Sequence, residues 1–234
     1  MTPILAGPDV WALVPVKRLD RAKSRLAEIL DPADRKQLAK AMLTDVLATL
    51  GRVEGLAGIL VVTSDVEVAA LATEHDAAVL ADPPETGFNE AVQHGMRWLD
   101  DRYHAGAVVV PGDIPFVTVA ELDAVLDATR ASPVVIVPAT RDGGTNLLAI
   151  APPLLMPPAF GPDSFARHVA AAHALGIQPS ILRLEGAGHD IDVAADLFIE
   201  AGSSAAPCTR AVMRQLRGTP VPAVAGSFKE AVLP

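Results

Sequence analysis

The sequence predicts an α/β fold of three layers, in which helices cover both faces of a doubly wound sheet that is mixed but mostly parallel. Segments of strand length alternate with segments of helical periodicity over most of the chain, as in repeated βα units. Residues 107–110 (AVVV) are apolar at every position, which is typical of a parallel strand with helices on both sides. Together with a length of 234 residues, these observations indicate one domain over residues 1–202.

The first strand is predicted at residues 11–16 (WALVPV), which are β-rich and of strand length. A basic, irregular stretch follows it and is interpreted as a loop. Asp31 and Pro32 then supply an N-cap and a first-turn proline for a helix that ends at Gly51. Apolar residues recur at helical spacing within this helix: Leu38, Met42, Val46 and Leu50. The chain is therefore expected to begin with a strand, a loop and a helix over residues 32–51.

The remaining elements continue the alternation. Further strands are predicted at residues 59–63, 78–81, 107–110, 134–137, 147–150 and 181–184. Further helices are predicted at residues 66–75, 89–103, 119–130, 165–175 and 194–201. Beyond them the pattern degrades into a segment rich in alanine and proline, with one short helix near residues 210–216. Residues 203–234 are therefore interpreted as a C-terminal extension that is partly irregular.

The composition argues against several classes of protein. Hydrophobic residues form 50% of the chain and charged residues 20%, which leaves enough apolar side chain for a sizeable core. A net charge of -9 argues against a broad nucleic-acid interface, which needs a surplus of lysine and arginine. No apolar run approaches the roughly 20 residues that cross a bilayer, and the N-terminus lacks the pattern of a secretory signal. We expect a cytoplasmic protein without nucleic-acid or membrane partners, and the sequence leaves a homodimer open.

The loop after the first strand concentrates positive charge. Five cationic residues lie within nine positions: Lys17, Arg18, Arg21, Lys23 and Arg25. In an open α/β sheet, ligands gather beyond the carboxyl ends of the strands, which is where this loop is expected. Its charge is suited to neutralising a triphosphate. A solvated surface is the alternative interpretation, because basic runs are commonly exposed.

Three aspartates are candidates for holding a metal ion. Asp113 comes just after the 107–110 strand, within the motif PGDIP, so its carboxylate is expected at the edge of the sheet. Asp190 and Asp192 point the same way if the segment HDID is extended. Carboxylate oxygens are ligands that Mg²⁺ prefers. A turn role for Asp113 and a helix-capping role for Asp192 are alternatives that the pattern leaves open.

Two glycine-containing motifs would permit close approach of the backbone to a ligand. DGGTN, residues 142–146, precedes a predicted strand, and FGPDS, residues 160–164, precedes a predicted helix. The start of that helix would direct backbone N–H groups, a hydroxyl group and the positive end of the helix dipole at an anion. An ordinary cap formed by serine or aspartate is the alternative. Arg167 and His168, one turn along, either add hydrogen-bond donors or face solvent.

Six motifs, taken in order, resemble the 2-phospho-L-lactate guanylyltransferase (CofC) family: VPVKRLDRAKSRLA, GFNEAV, VVVPGDIP, DGGTN, FGPDSFARH and HDIDVAADL. The likeness covers roughly residues 11–202, and FGPDS followed by ARH is its most specific element. The resemblance implies a nucleotidyltransferase domain with a fold like that of the nucleotide-diphospho-sugar transferases. It also implies a role in biosynthesis of the deazaflavin coenzyme F-420.

The same resemblance implies a reaction. The enzyme would transfer GMP from GTP to a small phosphorylated acid and release pyrophosphate, with phosphoenolpyruvate, 2-phospho-L-lactate and 3-phosphoglycerate as the candidate acceptors. Lys17, Lys23 and Arg25 would face the GTP phosphates. Gly87 and Asn89 would lie near the nucleoside.

The resemblance assigns the remaining site residues as well. Mg²⁺ would be held by three carboxylates, those of Asp113, Asp190 and Asp192. The acceptor would be bound by three residues of the glycine-containing motifs, Thr145, Gly161 and Ser164. Lys23 and Asp113 are the expected catalytic residues.

Two other functions fit part of the same pattern. A related nucleotidyltransferase acting on a sugar phosphate or a molybdopterin-type acceptor would use the same sheet and aspartates. A non-catalytic nucleotide-binding regulatory domain would keep the basic loop but would have no use for three converging carboxylates. Neither GxGxxG nor a Walker A sequence is present, which disfavours hydride transfer and P-loop ATPase chemistry.

Overall fold

The computed structural model describes residues 9–83, 86–102, 104–198 and 205–217. Within these residues seven strands form one sheet: β1 Val10–Pro15, β2 Gly58–Thr63, β3 Ala78–Ala81, β4 Gly106–Val109, β5 Val134–Pro138, β6 Thr145–Ile150 and β7 Ser180–Ile181. Their order across the sheet is β3-β2-β1-β4-β6-β5-β7. β6 runs antiparallel to β4 and β5, and the other neighbouring strands are parallel. The predicted mixed, mostly parallel sheet is confirmed.

The described part of the chain contains six α-helices: α1 Pro32–Leu50, α2 Val66–Glu74, α3 Phe88–Asp100, α4 Val119–Thr129, α5 Ser164–Ala174 and α6 Pro207–Arg217. Short 3₁₀ turns occur at Leu19–Arg21, Ser24–Leu26 and Ala194–Phe198. None of these helices is both long and apolar enough to cross a bilayer.

The helices cover both faces of the sheet because successive residues of each strand point to opposite sides. In β1, Ala12 and Val14 pack into the core beneath α1, α2, α4 and α6. Leu13, between them, packs instead into the core beneath α3 and α5. All three side chains are fully buried. The predicted three-layer arrangement is therefore confirmed, with β1 in its interior.

Local capping explains where two of the helices begin. The Asp31 side chain accepts a hydrogen bond from the Asp34 N–H group, and Pro32 occupies the first turn of α1 as predicted. At α4, Thr118 and Glu121 form a reciprocal capping box. Glu121 also accepts a hydrogen bond from the Gly186 N–H group, so the same carboxylate ties α4 to the loop that leads towards the HDID motif.

Two predicted elements differ from the structure. The prediction of a last strand at residues 181–184 is too long: β7 has only two residues, because the chain turns after Leu182 donates a last backbone hydrogen bond to Ile136. The helix expected at 194–201 is a 3₁₀ turn up to Phe198, because Asp196 reaches back to the N–H groups that precede it. Residues 199–201, like the predicted helix end at residue 103, lie outside the described residues.

Helix α6 falls within the segment predicted as a C-terminal extension, and it includes the short helix predicted near residues 210–216. Its apolar side chains Val212, Met213 and Leu216 are buried in the same core as α1. The buried carboxylate of Asp45, on α1, accepts hydrogen bonds from the Cys208 and Thr209 N–H groups and from the Thr209 hydroxyl group. The first part of the extension is thus fastened to the domain, whereas residues 218–234 lie outside the described residues.

Candidate active site

The topology gathers polar loops at one edge of the sheet. β1, β3 and β4 are parallel, so the segments that follow them emerge at the same edge, with Lys17, Asp82 and Asp113. Because β6 is antiparallel to β4, it begins rather than ends at this edge, which adds Thr145. The predicted site residues Lys17, Asp113 and Thr145 therefore come together from three strands, and Asp82 joins them from a fourth.

A charged cluster, formed by Lys23, Arg25, Asp113, Asp190 and Asp192, occupies the centre of this edge. The Lys23 Nζ atom is 2.7 Å from Asp113 Oδ2 and 3.4 Å from Asp192 Oδ1, and Arg25 Nη1 is 2.5 Å from Asp192 Oδ2. Lys23 has a φ of 54°, in the left-handed region, at the start of a 3₁₀ turn. This conformation belongs to the turn that carries its side chain into the cluster.

Lys23 is charged despite its burial. Its side chain is only 5% exposed, and burial alone would lower its pKa, but the negative charges of Asp113, Asp192 and Asp190 outweigh that effect and raise it above the ordinary value. Removing either the buried ammonium group or its carboxylate partners would destabilise the fold, because a charge would be left without its partner. The cluster therefore carries an internal counterion.

Asp190 completes the convergence of the three predicted carboxylates. Its pKa is raised by burial first and then by the negative charge of Asp113, with a smaller contribution from Asp192. A backbone hydrogen bond from the Ile191 N–H group to the Asp113 carbonyl oxygen holds the two segments together. The Asp192 carboxylate points to Lys23 and Arg25, so its side chain forms ion pairs here.

The three carboxylates are arranged as ion-pair partners. In the ranges that the structure describes, no group of three or more His, Cys, Asp or Glu side chains forms a ready-made metal-ligand set. Lys23 bridges Asp113 and Asp192 with its own positive charge. The donor chemistry nevertheless suits a hard cation, because three carboxylates converge and one of them, Asp190, is penalised for ionising there.

Two residues outside the predicted site, Arg141 and Asp196, support this cluster. Arg141 donates from Nη1 to both carboxylate oxygens of Asp196, at 3.0 and 2.9 Å, and from Nη2 to the Asp190 carbonyl oxygen. Asp196 in turn accepts hydrogen bonds from the Asp192 and Val193 N–H groups. The pair fixes the backbone of the HDID segment.

Lys17 lies at one side of the charged cluster and has different partners. Its Nζ atom donates to Asp82 Oδ2 at 2.6 Å and to Thr86 Oγ1 at 2.9 Å. The Asp82 side chain is only 2% exposed, and its position just after β3 is the sequence signal that would have identified it. A groove of about 260 Å³ connects Lys17 with Lys23 and Asp113.

The two residues expected near the nucleoside lie at the start of α3. Gly87 is its N-cap, and a Cβ atom there would collide with the Glu90 carboxylate. The Asn89 amide is committed to the backbone of Phe160: its Nδ2 donates to the carbonyl oxygen at 3.0 Å, and its Oδ1 accepts from the N–H group at 2.7 Å. Asn89 thus links α3 to the FGPDS loop, and its proximity to a nucleoside stays a prediction.

A second polar group, the neutral network, is formed by Thr145, Ser164 and His168. The Thr145 N–H group donates to Ser164 Oγ at 2.8 Å, and Thr145 Oγ1 is 3.0 Å from His168 Nδ1. The Ala159 N–H group donates to His168 Nε2 at 2.9 Å. The three network residues are buried, so the start of β6 and the start of α5 are joined inside the protein.

The structure decides between the alternatives left open for residues 167 and 168. Arg167 is exposed and donates to the Pro162 carbonyl oxygen. His168 is 0% exposed, so the solvent-facing alternative is wrong for it. Burial, and then the positive charge of Arg167, lower its pKa to about 4, so the ring is neutral near pH 7. Nearby Gly161 has a φ of 116°, a conformation that favours glycine.

Comparison with known proteins settles the family. A family profile described as "Guanylyl transferase CofC like" matches residues 10–217, which include α6. The chain belongs to the CofC guanylyltransferase family. It is accordingly a nucleotidyltransferase enzyme, as predicted.

Curated relatives of this CofC chain include two bacterial proteins named phosphoenolpyruvate guanylyltransferase. The protein from Conexibacter woesei is 38% identical over 218 residues, which cover 90% of this chain and 98% of the relative. The protein from Sphaerobacter thermophilus is 38% identical over 194 residues, covering 82% of this chain and 92% of the relative.

Solved structures confirm the predicted fold type. A structure from Desulfovibrio desulfuricans, assigned to the nucleotide-diphospho-sugar transferases, has a TM-score of 0.71 at 19% identity. The match covers 89% of this chain and 98% of that protein. A 4-diphosphocytidyl-2C-methyl-D-erythritol synthase from Anaerococcus prevotii has a TM-score of 0.54 at 14% identity. That match covers 82% of this chain and 95% of the synthase. At these identities the likeness concerns the fold.

Proposed function

We propose that this CofC enzyme transfers GMP from GTP to phosphoenolpyruvate and releases pyrophosphate, as a step in biosynthesis of the deazaflavin coenzyme F-420. The observation that carries the proposal is the meeting of the charged cluster and the neutral network at one edge of the sheet. The charged cluster is suited to binding phosphate groups, and the neutral network is suited to binding a small, oxygen-rich acid. The names of the curated relatives favour phosphoenolpyruvate over 2-phospho-L-lactate and 3-phosphoglycerate.

The proposed reaction is an in-line displacement at phosphorus. A phosphate oxygen of the acceptor attacks the α-phosphorus of GTP and forms a new P–O bond, while the bond from the α-phosphorus to the bridging oxygen of the β-phosphate breaks. The electron pair of that bond leaves with pyrophosphate. The acceptor phosphate is already ionised at neutral pH, so no strong general base is needed. Catalysis then consists of positioning and of compensating the charge that develops.

Lys23 and Arg25 are the residues that we expect to compensate charge on the GTP phosphates. Lys23 remains an ammonium group at neutral pH because its carboxylate neighbours raise its pKa despite its burial, which alone would lower it. The Arg25 side chain is largely exposed and can move towards an incoming phosphate. Lys17, across the groove, extends the positive charge towards the start of α3, where Gly87 and Asn89 are expected to lie near the nucleoside.

Mg²⁺ is proposed as the metal cofactor, held by Asp113, Asp190 and Asp192. A bound Mg²⁺ would supply Lewis-acid polarisation of the phosphate oxygens and stabilise the pyrophosphate that leaves. The support from this chain is the convergence of three carboxylates, one of which has a pKa raised by burial and by Asp113. Asp196 and Arg141 would keep the HDID backbone in place.

The acceptor is proposed to bind where the neutral network begins. Thr145 and Ser164 present hydroxyl groups there, and Gly161 allows the backbone to turn before α5. The positive end of the α5 dipole favours an anion at this point. The site would thus bind a phosphorylated acid mainly through directed hydrogen bonds.

The test is pyrophosphate release from GTP and Mg²⁺ with each of the three acids supplied separately. We expect release that depends on phosphoenolpyruvate, with ATP and CTP as matched nucleotide controls that give less. Release with another of the acids would keep the guanylyltransferase reaction and correct the acceptor. The absence of pyrophosphate release with all three acids would refute the proposed function and favour a sugar phosphate or another acceptor.

A further inference from the structure

Each polar atom of the buried His168 ring has one defined partner. The Ala159 N–H group points to Nε2 at 2.9 Å, and Thr145 Oγ1 lies 3.0 Å from Nδ1. The Phe160 ring packs edge-on against the imidazole at a centroid distance of 5.0 Å. The ring is therefore held in one orientation by two hydrogen bonds and an aromatic contact.

These partners determine which ring nitrogen carries the proton. A backbone N–H group can only donate, so Nε2 must accept and cannot itself be protonated. In the neutral ring the proton then lies on Nδ1, and the Nδ1–H group donates to Thr145 Oγ1. The pKa lowered to about 4, by burial and by Arg167, agrees with a ring that carries only this proton.

The tautomer in turn fixes the direction of the Thr145 hydroxyl group. Its oxygen already accepts from His168, so its single hydrogen must be donated elsewhere. Ser164 is in a similar position, because its Oγ accepts from the Thr145 N–H group. With this tautomer, neither hydroxyl group donates a hydrogen bond to an acceptor within the described residues. Two buried hydroxyl hydrogens are thus left for a ligand, and a buried donor without an acceptor is costly.

We propose that His168 is a positioning residue, which makes the Thr145 hydroxyl group a hydrogen-bond donor to an anionic oxygen of the acceptor acid. The opposite tautomer would let Thr145 donate to the ring and would turn an oxygen lone pair towards the anion. The Thr145 hydroxyl group would therefore attract the anion with the first tautomer and repel it with the second. The inference rests on the proposed function for the identity of the ligand, whereas the tautomer is a property of the protein alone.

The experiment compares two replacements that each keep half of the imidazole's hydrogen bonding. In His168→Asn, the amide N–H group can take the place of Nδ1–H and donate to Thr145. In His168→Gln, the longer side chain brings its carbonyl oxygen near the place of Nε2 and accepts from Ala159, but it leaves Thr145 without that donor. The KM values for phosphoenolpyruvate and for GTP are measured by pyrophosphate release, beside the Tm of each variant.

We expect His168→Gln to raise the KM for phosphoenolpyruvate about 10- to 100-fold, the range for loss of a hydrogen bond to a charged group. The KM for GTP should stay near the wild-type value, and His168→Asn should recover most of the loss. A Thr145→Val variant should show the same rise, and adding His168→Gln to it should have little further effect. Equal effects of both His168 variants on both KM values would show a merely structural role and overturn the proposal.

A second measurement does not depend on activity. Nitrogen-15 NMR of the imidazole should show a protonated Nδ1 and an unprotonated Nε2 in the free protein. The reverse assignment would overturn the proposal even if the enzyme is active. Wild-type protein that is inactive with every acid but shows protonated Nδ1 would instead refute the proposed function and leave the tautomer established.

Discussion

The charged cluster and the neutral network lie at the same edge of the sheet but are stabilised in opposite ways. In the charged cluster, each carboxylate is balanced by a lysine or an arginine, and Lys23 alone pairs with two of them. In the neutral network no side chain is charged, and direction is set by which atom carries a hydrogen. Charge compensation tolerates movement of its partners, whereas a directed hydrogen bond does not.

This contrast predicts different consequences of substitution in the two regions. A change in the charged cluster should act on turnover and on the free energy of unfolding, because it leaves buried charge unbalanced. A change in the neutral network should act mainly on the binding of the acceptor. The following variants test that division, from the largest expected effect to the smallest.

Replacing Asp113 by Asn should give the largest effect. We expect kcat for pyrophosphate release to fall about a thousandfold, because a charged oxygen at the centre of the cluster is lost while the shape of the side chain is kept. The exposed Asp123, on α4, is the matched control, and Asp123→Asn should leave kcat unchanged. A near-normal kcat in Asp113→Asn would contradict the assignment of Asp113 to metal binding and catalysis.

Replacing Lys23 by Met should destabilise the folded protein as well as the reaction. The Asp113 and Asp192 carboxylates would lose a shared, buried partner, and we expect the free energy of unfolding to fall by about 3 kcal/mol. Lys36→Met removes an exposed partner of Glu67 and should cost much less, because exposed ion pairs contribute little to stability. Urea unfolding measures the free energy of unfolding of both variants. Equal losses would show that the buried ion pairs stabilise the fold no more than an exposed one.

The neutral network predicts a dependence of stability on pH. The pKa of His168 is lowered to about 4 in the folded protein from an ordinary value of 6.5, because the ring is buried and lies near Arg167. The neutral ring therefore makes its full contribution to the free energy of unfolding above pH 6.5. About 3 kcal/mol of that contribution is lost as the pH falls towards 4. His168→Asn lacks this titration, so urea unfolding at pH 7 and pH 4 should show a smaller loss in that variant. Parallel losses in the two proteins would contradict the low pKa.

Helix α6 provides a region outside both networks. Asp45→Ala would leave the Thr209 hydroxyl group and two backbone N–H groups without their acceptor, and we expect a loss of about 2 kcal/mol of unfolding free energy. Both KM values and kcat should remain unchanged at a temperature where the variant is folded. An altered KM for the acceptor would connect α6 to the site and weaken the division between the two regions.

Much of the fold could be predicted because its signals are local. The apolar strands, the Asp31 cap and the regular alternation are visible in the sequence, and the order of elements follows from them. The convergence of Asp113, Asp190 and Asp192 was also accessible, because segments that follow parallel strands meet at one edge. The short β7 was harder, since one backbone turn after Leu182 decides its length.

The partners of the site residues could not be predicted in the same way. Lys23 reaches its two carboxylates from a left-handed backbone conformation, for which the lysine itself gives no signal. His168 is buried because one face of α5 packs on the sheet, and an alanine-rich helix does not show in its sequence which face that is. Asp82 was missed although it directly follows a predicted strand. Tertiary packing, rather than local propensity, determines the first two, whereas the position of Asp82 after a strand was a usable signal.

The internal ion pairs also bear on how fast a nucleotide can be captured from solution. Lys17, Lys23 and Arg25 each have a carboxylate partner, so at separations beyond the Debye length, about 8 Å in physiological salt, their fields largely cancel. The chain as a whole carries a net charge of -9, which repels a polyanion. Long-range steering therefore does not favour capture, and the association rate of a triphosphate should not fall as ionic strength rises, in contrast to that of an open basic cleft.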